Sequence, residues 1–150
     1  MQAQVVRTPE QLEECLNVRM KVFVEEQKVP RHLEVDELDG VNQAIHVILR
    51  DEMSLRAVGT ARIKRVDPET AKIQRVAILK EERLAGRGRT LMNFVESTAY
   101  EQGCKRAILD AQLTAEPFYQ RLGYTRVSDE TFLDAGILHV RMEKRLASSH

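Results

Sequence analysis

The chain of 150 residues lacks the features that are typical of membrane and nucleic-acid-binding proteins. No apolar run approaches the ~18 residues of a membrane-spanning helix, and the polar start MQAQVVRTPE lacks the apolar core of a signal peptide. Lys and Arg number 23, as do Asp and Glu, so the net charge gives no argument for a nucleic acid or an anionic membrane as partner. We therefore expect a cytoplasmic protein that uses neither partner.

Cysteine is scarce as well, since Cys15 and Cys104 are the only two and form no CxxC or other metal-binding spacing. We expect reduced thiols and no metal site. The length and the 43% hydrophobic content suit one domain that is large enough to bury a core. We assign residues 1–146 to that domain and expect residues 147–150, ASSH, to be a disordered tail.

Helical and strand patterns alternate along the chain without a linker or an internal repeat, which favours a single α/β domain. Strands are predicted over residues 4–7, 44–50, 57–66, 72–79, 105–112, 124–127 and 137–144. Thr8 and Gln11 are spaced for a capping box around Pro9 at the start of the first helix. Thr114 is predicted to cap a helix that ends at Leu122.

The most informative segment is QRVAILKEERLAGRGRTLM, residues 74–92. An apolar strand leads through a charged turn to Gly86 and Gly88, and a helix follows. This order places backbone N–H groups and a helix N-terminus where a phosphate can bind. Glycine has no side chain to keep the phosphate from the backbone. The segment therefore predicts a phosphorylated cofactor.

Different cofactors would need different loops. A Walker loop has Lys followed by Ser or Thr after its last glycine, whereas Arg89 and Thr90 stand here, so that interpretation fails. A dinucleotide fingerprint needs three glycines and an acidic residue about 20 residues further on. Only two glycines are present, although Asp110 is suitably spaced, so this alternative is weak. An ordinary glycine-containing turn between strand and helix also stays open.

The remaining pattern, R-x-x-G-x-G from Arg83 to Gly88, resembles the pyrophosphate loop of the GNAT N-acetyltransferases. Residues 111–124, AQLTAEPFYQRLGY, resemble the second signature of that family. Residues 18–39 and 132–142 are similar to a YjcF-like and ElaA-like branch of small bacterial GNAT proteins. The resemblance covers residues 3 to 145 approximately, with the motifs in the expected order.

The resemblance implies an α/β (α+β) fold: one GNAT domain whose central mixed, mostly antiparallel sheet is flanked by helices. A bulged strand splays from its neighbour, and acetyl-CoA lies in the split. The implied activity is direct transfer of the acetyl group to a primary amine, with CoA as product and no metal. A small-molecule acceptor is our preference, and a homodimer is compatible with the family. A non-catalytic CoA-binding module is the alternative function.

The resemblance also assigns site residues. Backbone groups of Val76, Ala77 and Ile78 would contact the pantetheine arm and the acetyl carbonyl. The pyrophosphate would lie on the loop made of Arg83, Leu84, Ala85, Gly86, Arg87, Gly88 and Arg89. Arg87 replaces an aliphatic residue of the family and is either a phosphate ligand or a solvated side chain. Tyr119 would be the general acid, and Phe118 would pack beneath the acyl group.

The general base is not indicated by any motif. Glu26, at the end of the first helical segment, and Glu34, in the acidic stretch HLEVDELDG, are the candidates for that role. A solvated acidic loop is the other interpretation of that stretch, and its spacing does not fit an EF-hand. Glu25, Gln74, Arg75 and His139 are further residues that could line the acceptor pocket, whereas His46 is expected to be a core histidine.

Overall fold

The computed structural model describes residues 1–83 and 86–147. Two residues of the predicted cofactor loop, Leu84 and Ala85, lie outside the described residues. The same is true of residues 148–150, which make up most of the predicted tail.

Strands and helices alternate over most of the chain. In chain order the structure contains β1 (Gln2–Val5), α1 (Pro9–Arg19), a π-helical segment (Met20–Glu26), α2 (Arg31–Glu34), β2 (Ile45–Arg50), β3 (Ala57–Asp67), β4 (Thr70–Ile78), α3 (Arg87–Glu101), β5 (Arg106–Gln112), α4 (Glu116–Arg121), β6 (Thr125–Asp134) and β7 (Ile137–Arg145). Two short 3-10 turns, Lys80–Glu82 and Leu113–Ala115, complete the set of described elements.

All seven strands belong to one sheet with the order β1-β2-β3-β4-β5-β7-β6. Only β4 and β5 pair in parallel, and the other neighbours are antiparallel. The prediction of a mixed, mostly antiparallel sheet flanked by helices is confirmed. A parallel pair needs a long crossover, which α3 supplies between β4 and β5.

The centre of the sheet opens at the parallel pair. The ladder between β4 and β5 begins at Thr70 and Arg106 and ends at Ile73 and Leu109. Beyond Ile73, β4 keeps its partner β3, but within residues 1–83 and 86–147 it has no partner on the β5 side. The splayed strand pair that the family resemblance implies is therefore present.

A bulge interrupts β4 at the same level. Gln74 pairs with Arg62 and Ala77 pairs with Thr60, so two residues of β4 lie opposite one residue of β3. Arg75, the first bulged residue, has a φ of 55°, a left-handed conformation that costs on the order of 1 kcal/mol for a residue with a side chain. The bulge ends regular pairing where the strands separate.

Both faces of the sheet are covered. Leu91, Met92 and Val95 of α3 belong to the main core cluster with Val47 of β2. A second cluster joins Leu12 and Cys15 of α1 to Ile48, and successive strand residues point to opposite faces. Both cysteines are buried and free. Within residues 1–83 and 86–147, no helix has the length and apolarity needed to cross a bilayer.

N-caps were predicted for two helices, at Thr8 and at Thr114. At α1 the capping box is confirmed, because the Gln11 N–H donates to the Thr8 hydroxyl and the Thr8 N–H donates to the Gln11 side chain. The predicted Thr114 cap is wrong. Thr114 lies inside a 3-10 turn, and α4 begins after Ala115, since Pro117 favours the first turn of a helix and fixes the start there.

Candidate active site

A cleft of about 820 Å³ occupies the opening between β4 and β5. On one side it is bordered by the π-helical segment and α2. On the other it is bordered by the start of α3 and by α4, and the turn between β6 and β7 contributes its rim. Large concave sites of this kind are the usual location of ligand binding.

Most of the residues predicted from sequence line this cleft. They are Glu34, Gln74, Arg75, Val76, Ala77, Ile78, Arg83, Gly86, Gly88, Arg89, Phe118, Tyr119 and His139. Glu26 and Arg87 are not among the lining residues. Segments far apart in sequence therefore meet at one place, which no single motif could establish.

The two loop glycines have different structural roles. Gly86 has a φ of 72° and precedes α3, and a Cβ there would have open space around it, so its role is conformational. A Cβ on Gly88 would lie 2.9 Å from Cζ of Phe118, so this glycine makes room for the ring. No described side chain caps α3, so the N–H groups of its first turn lack a side-chain acceptor among the described residues.

Arg83 and Glu26 form an ion pair at the edge of the cleft. The guanidinium donates to both oxygens of Glu26, at 2.7 and 2.6 Å, and its Nε donates to the Ile78 carbonyl at 2.9 Å. The hydrogen bond from Arg83 lowers the pKa of Glu26, which makes that carboxylate a poor proton acceptor. Arg83 thus links the loop to the end of β4 and to the π-helical segment.

Arg87 and Arg89 differ in direction although both begin α3. Arg87 forms ion pairs with Glu82 and Asp51 outside the cleft, whereas Arg89 is exposed and lines it. The phosphate role predicted for these arginines stays a prediction, and only Arg89 has the placement it needs.

Two tyrosines near the cleft have contrasting surroundings. Tyr119 is buried between Phe118 and Tyr124 in edge-to-face contacts, and no described residue hydrogen-bonds to its hydroxyl. Burial raises its pKa, so the hydroxyl stays protonated at neutral pH. Tyr124 instead donates to Glu96 at 2.9 Å, and Glu96 also accepts from Lys144. The Tyr124 hydroxyl is therefore engaged within the packed interior.

Glu34 is held by a buried ion-pair network rather than by solvent. Arg19, only 1% exposed, donates to the Glu34 carboxylate at 2.7 Å and to both oxygens of Asp39. Burial raises the pKa of Glu34, and Arg19 opposes that shift. Burial would also raise the pKa of Asp39, but the bonds from Arg19 and the Asp36 N–H lower it to about 2.

Arg62 extends the network to the cofactor strand. Its guanidinium, also 1% exposed, bonds Asp36 and Asp39 on one side and the Gln74 side chain on the other. Arg75 donates to the Glu34 carbonyl at 3.2 Å, which helps hold the bulge. We name the set Arg19, Glu34, Asp36, Asp39, Arg62 and Arg75 the buried ion-pair network.

Sequence reasoning missed Arg19 and Arg62 as members of the site. Arg19 stands at a helical spacing with Leu12 and Cys15, so its place on an apolar face was a usable signal. Arg62 gave no such signal, because its neighbours on the same face of β3 are the polar residues Thr60 and Lys64. The acidic partners could not be found from local patterns, since they lie 15 to 26 residues away in sequence.

The side chains of His46 and His139 make local contacts. His46 is buried with its Nε2 at 3.0 Å from the Leu38 carbonyl, and burial lowers its pKa, which fits the predicted core role. The ring of His139 stacks on Phe132, and its Nδ1 lies 2.7 Å from the Ile137 carbonyl oxygen. In the part of the chain that the structure describes, no group of three or more acidic, His or Cys side chains could hold a metal ion.

Comparison with known proteins agrees with this geometry. The family model described as "Acetyltransferase (GNAT) domain" matches residues 8–146. The Bacillus subtilis protein named "Uncharacterized N-acetyltransferase YjcF" is 40% identical over 144 residues, which is 96% of this chain and 99% of that protein.

Two solved structures share the fold along their whole length. A putative N-acetyltransferase from Lactobacillus plantarum superimposes with a TM-score of 0.88 at 26% identity, covering 97% of this chain and 98% of its own. Escherichia coli ElaA gives a TM-score of 0.82 at 27% identity, covering 96% and 99%. The chain belongs to the GNAT acetyltransferase family, which is a family of acyltransferase enzymes.

Proposed function

We propose that the protein transfers the acetyl group of acetyl-CoA to a primary amine of a small-molecule acceptor, by direct attack while both substrates are bound. The observation that carries this proposal is the open edge of β4. From Gln74 to Ile78 the strand lacks a partner on the β5 side, and this edge faces the cleft. An extended amide-containing arm can add to such an edge as a further strand would.

The residues present fit the rest of the cofactor. Gly86 and the uncapped first turn of α3 offer N–H groups for a pyrophosphate, and Arg89 adds positive charge at the cleft. When bound, acetyl-CoA supplies an activated thioester. The N–H groups near the bulge, at Val76 and Ala77, are the donors that we assign to the acetyl carbonyl oxygen.

Tyr119 is the group that we assign to protonate the departing thiolate. Tyr119 lines the cleft, and its hydroxyl is protonated at neutral pH and has no hydrogen bond with a described residue. Glu26 is a poor base because Arg83 lowers its pKa. Glu34 keeps the base role as a proposal, although Arg19 and Arg75 already engage its carboxylate.

The first test is calorimetric titration of the protein with acetyl-CoA, with CoA and NAD as controls. We expect binding of acetyl-CoA in the micromolar range and none of NAD. A screen for amine-stimulated release of the CoA thiol then detects turnover. Binding followed by stimulated release supports the proposed reaction.

Other results would point elsewhere. Binding without release by any amine would favour the alternative of a CoA-binding module. Absence of binding would overturn the assignment of the cleft to acetyl-CoA, and binding of NAD instead would revive the dinucleotide interpretation.

A further inference from the structure

The orientation of one side-chain amide in the cleft is fixed by its neighbour. Oε1 of Gln74 lies 3.1 Å from Nε and 2.8 Å from Nη2 of Arg62. A guanidinium only donates hydrogen bonds, so Gln74 must present its oxygen to Arg62. The NH2 group of Gln74 is therefore the end of the amide that Arg62 leaves free.

Arg62 cannot easily release this amide. Its guanidinium also bonds both oxygens of Asp36, at 2.7 and 3.0 Å, and Asp39 at 3.1 Å, and the residue is 1% exposed. A flipped Gln74 would place its NH2 against these donors and leave a buried guanidinium partly unsatisfied. The Gln74 donor is thus held in one direction before any substrate binds.

This donor lies beside the reacting position. Gln74 lines the cleft, follows the last paired residue of the β4–β5 ladder, and directly precedes the bulge at Arg75. No described group accepts a hydrogen bond from its NH2. Val76 and Ala77 lie two and three residues further along the strand. Their N–H groups are the donors that we assign to the acetyl carbonyl oxygen.

The carboxylates of the cleft are largely neutralised. Glu34 is paired with Arg19, and Asp110 accepts from Arg141 at 2.8 Å and lies 3.4 Å from Lys72. Asp134, at the exposed rim, forms no ion pair with a described residue. Five basic side chains also line the cleft: Lys72, Arg75, Arg83, Arg89 and Arg121. A polycationic acceptor would find little negative charge to bind.

We propose that Gln74 is a specificity-determining residue that donates a hydrogen bond to an oxygen of the acceptor. The acceptor class that fits is a monoamine with a carbonyl or hydroxyl oxygen close to the amine, such as an amino-acid amide or an amino sugar. Polyamines and aminoglycosides are poor acceptors for this cleft. The inference rests on the proposed acetyl transfer and names the acceptor class of the same site.

The test compares four probes in the thiol-release assay: alaninamide and glucosamine as monoamines with neighbouring oxygens, and spermidine and kanamycin as polycations. The wild-type protein is expected to use the first two with the higher kcat/KM. In Gln74→Glu the carboxylate still accepts from Arg62 but the donor is lost. We expect KM for glucosamine and alaninamide to rise about tenfold, with the Kd of acetyl-CoA and the thermal midpoint unchanged.

Gln112→Glu is the charge control, because it adds the same charge to the cleft and leaves the Gln74 donor in place, while the Gln27 amide, which now accepts from Gln112, can turn to donate to the new carboxylate. We expect it to change the glucosamine KM less than about threefold. If Gln112→Glu raises KM as much as Gln74→Glu does, charge and not the donor is responsible, and the inference is overturned.

Three further results would overturn it while leaving acetyl transfer intact. They are preference of the wild type for spermidine, preference of the wild type for kanamycin, and an unchanged acceptor KM in Gln74→Glu, whether or not kcat changes. Failure of acetyl-CoA to bind is a different outcome, since it removes the proposed function itself and the inference with it.

Discussion

The two sides of the cleft are each stabilised by a different kind of interaction. Beside β3 and β4, the buried ion-pair network fixes α1, α2 and the bulge through charged hydrogen bonds among Arg19, Asp39 and Arg62. On the side of α3 and α4, aromatic packing places Phe118 against Gly88 and Tyr119 between two rings. We call these the polar wall and the aromatic wall.

The difference shows how each wall can supply reactive groups. In the polar wall nearly every charged atom has a partner, so it offers positioned backbone groups and the free end of the Gln74 amide rather than a free charge. In the aromatic wall packing needs no polar partner, so the Tyr119 hydroxyl is left without a hydrogen bond from any described residue. The following experiments separate the two walls.

The largest effect is expected from Arg19→Met in the polar wall. This change leaves Glu34 and Asp39 buried without their guanidinium, and loss of one partner of a buried pair costs ~3–5 kcal/mol. Arg50→Met is the control, because Arg50 forms a two-bond pair with Glu14 that is partly exposed. Such pairs contribute about 1 kcal/mol or less. Urea unfolding measures both free energies, and similar losses in the two variants would contradict the distinction.

A pH experiment sharpens the same point at Asp39. Its pKa is lowered to about 2 in the folded protein, so its stabilising contribution is complete above the unfolded value of ~3.9 and is lost as the pH falls through about 2. A shift of this size corresponds to about 2.5 kcal/mol. Unfolding free energy measured from about pH 5 to about pH 2 should fall less steeply in Asp39→Asn than in the wild type.

Asp129→Asn, at the exposed surface of β6, is the matched control and should keep the wild-type slope. An unchanged slope in Asp39→Asn would mean that the ion pairs of Asp39 do not stabilise the fold.

The sequence predicted the aromatic wall better than the polar wall. Gly86, Gly88, Phe118 and Tyr119 lie within two short motifs, so their types and spacing could be interpreted locally. The sheet was predictable for the same reason, since alternation and turn residues are local signals. The ends of the other predicted strands differ from the observed ends by at most two residues, whereas the predicted strand at 124–127 extends to Asp134 as an exposed edge.

The polar wall depends on contacts between distant segments, and this is why it was not predicted. The acidic stretch HLEVDELDG was compatible with a solvated loop and with a general base. Its role depends on which cations are close, and Arg19 and Arg62 approach it only after α1 and β3 pack. A bulge in this strand was implied by family resemblance, whereas its position at Arg75 and the bond from Arg75 to the Glu34 carbonyl needed the structure.

An intermediate effect is expected from a pair of tyrosine variants in the aromatic wall. Tyr119→Phe should lower kcat by about 10- to 100-fold with unchanged acetyl-CoA binding and unchanged stability, because the hydroxyl has no described partner. Tyr124→Phe should instead cost about 1–2 kcal/mol of stability, since its bond to Glu96 is lost, and leave kcat nearly unchanged. Thiol-release kinetics and urea unfolding of both variants test whether one loses kcat and the other loses stability. Equal kcat values for Tyr119→Phe and the wild type would remove Tyr119 from catalysis.

The smallest effect is expected from Gly88→Ala, which changes the contact between Gly88 and the ring of Phe118. Gly88 is helical, so Ala would favour α3 by up to ~1 kcal/mol if nothing opposed it. Its Cβ would lie 2.9 and 3.0 Å from ring atoms of Phe118, which would displace the ring. We expect Gly88→Ala to lower stability by about 1 kcal/mol and to weaken acetyl-CoA binding several-fold.

Adding Phe118→Leu should relieve the clash and restore part of both losses, as calorimetry and unfolding would measure. If Gly88→Ala behaves alike with Phe118 and with Leu at that position, the glycine is needed for the approach of the phosphate and not for the ring.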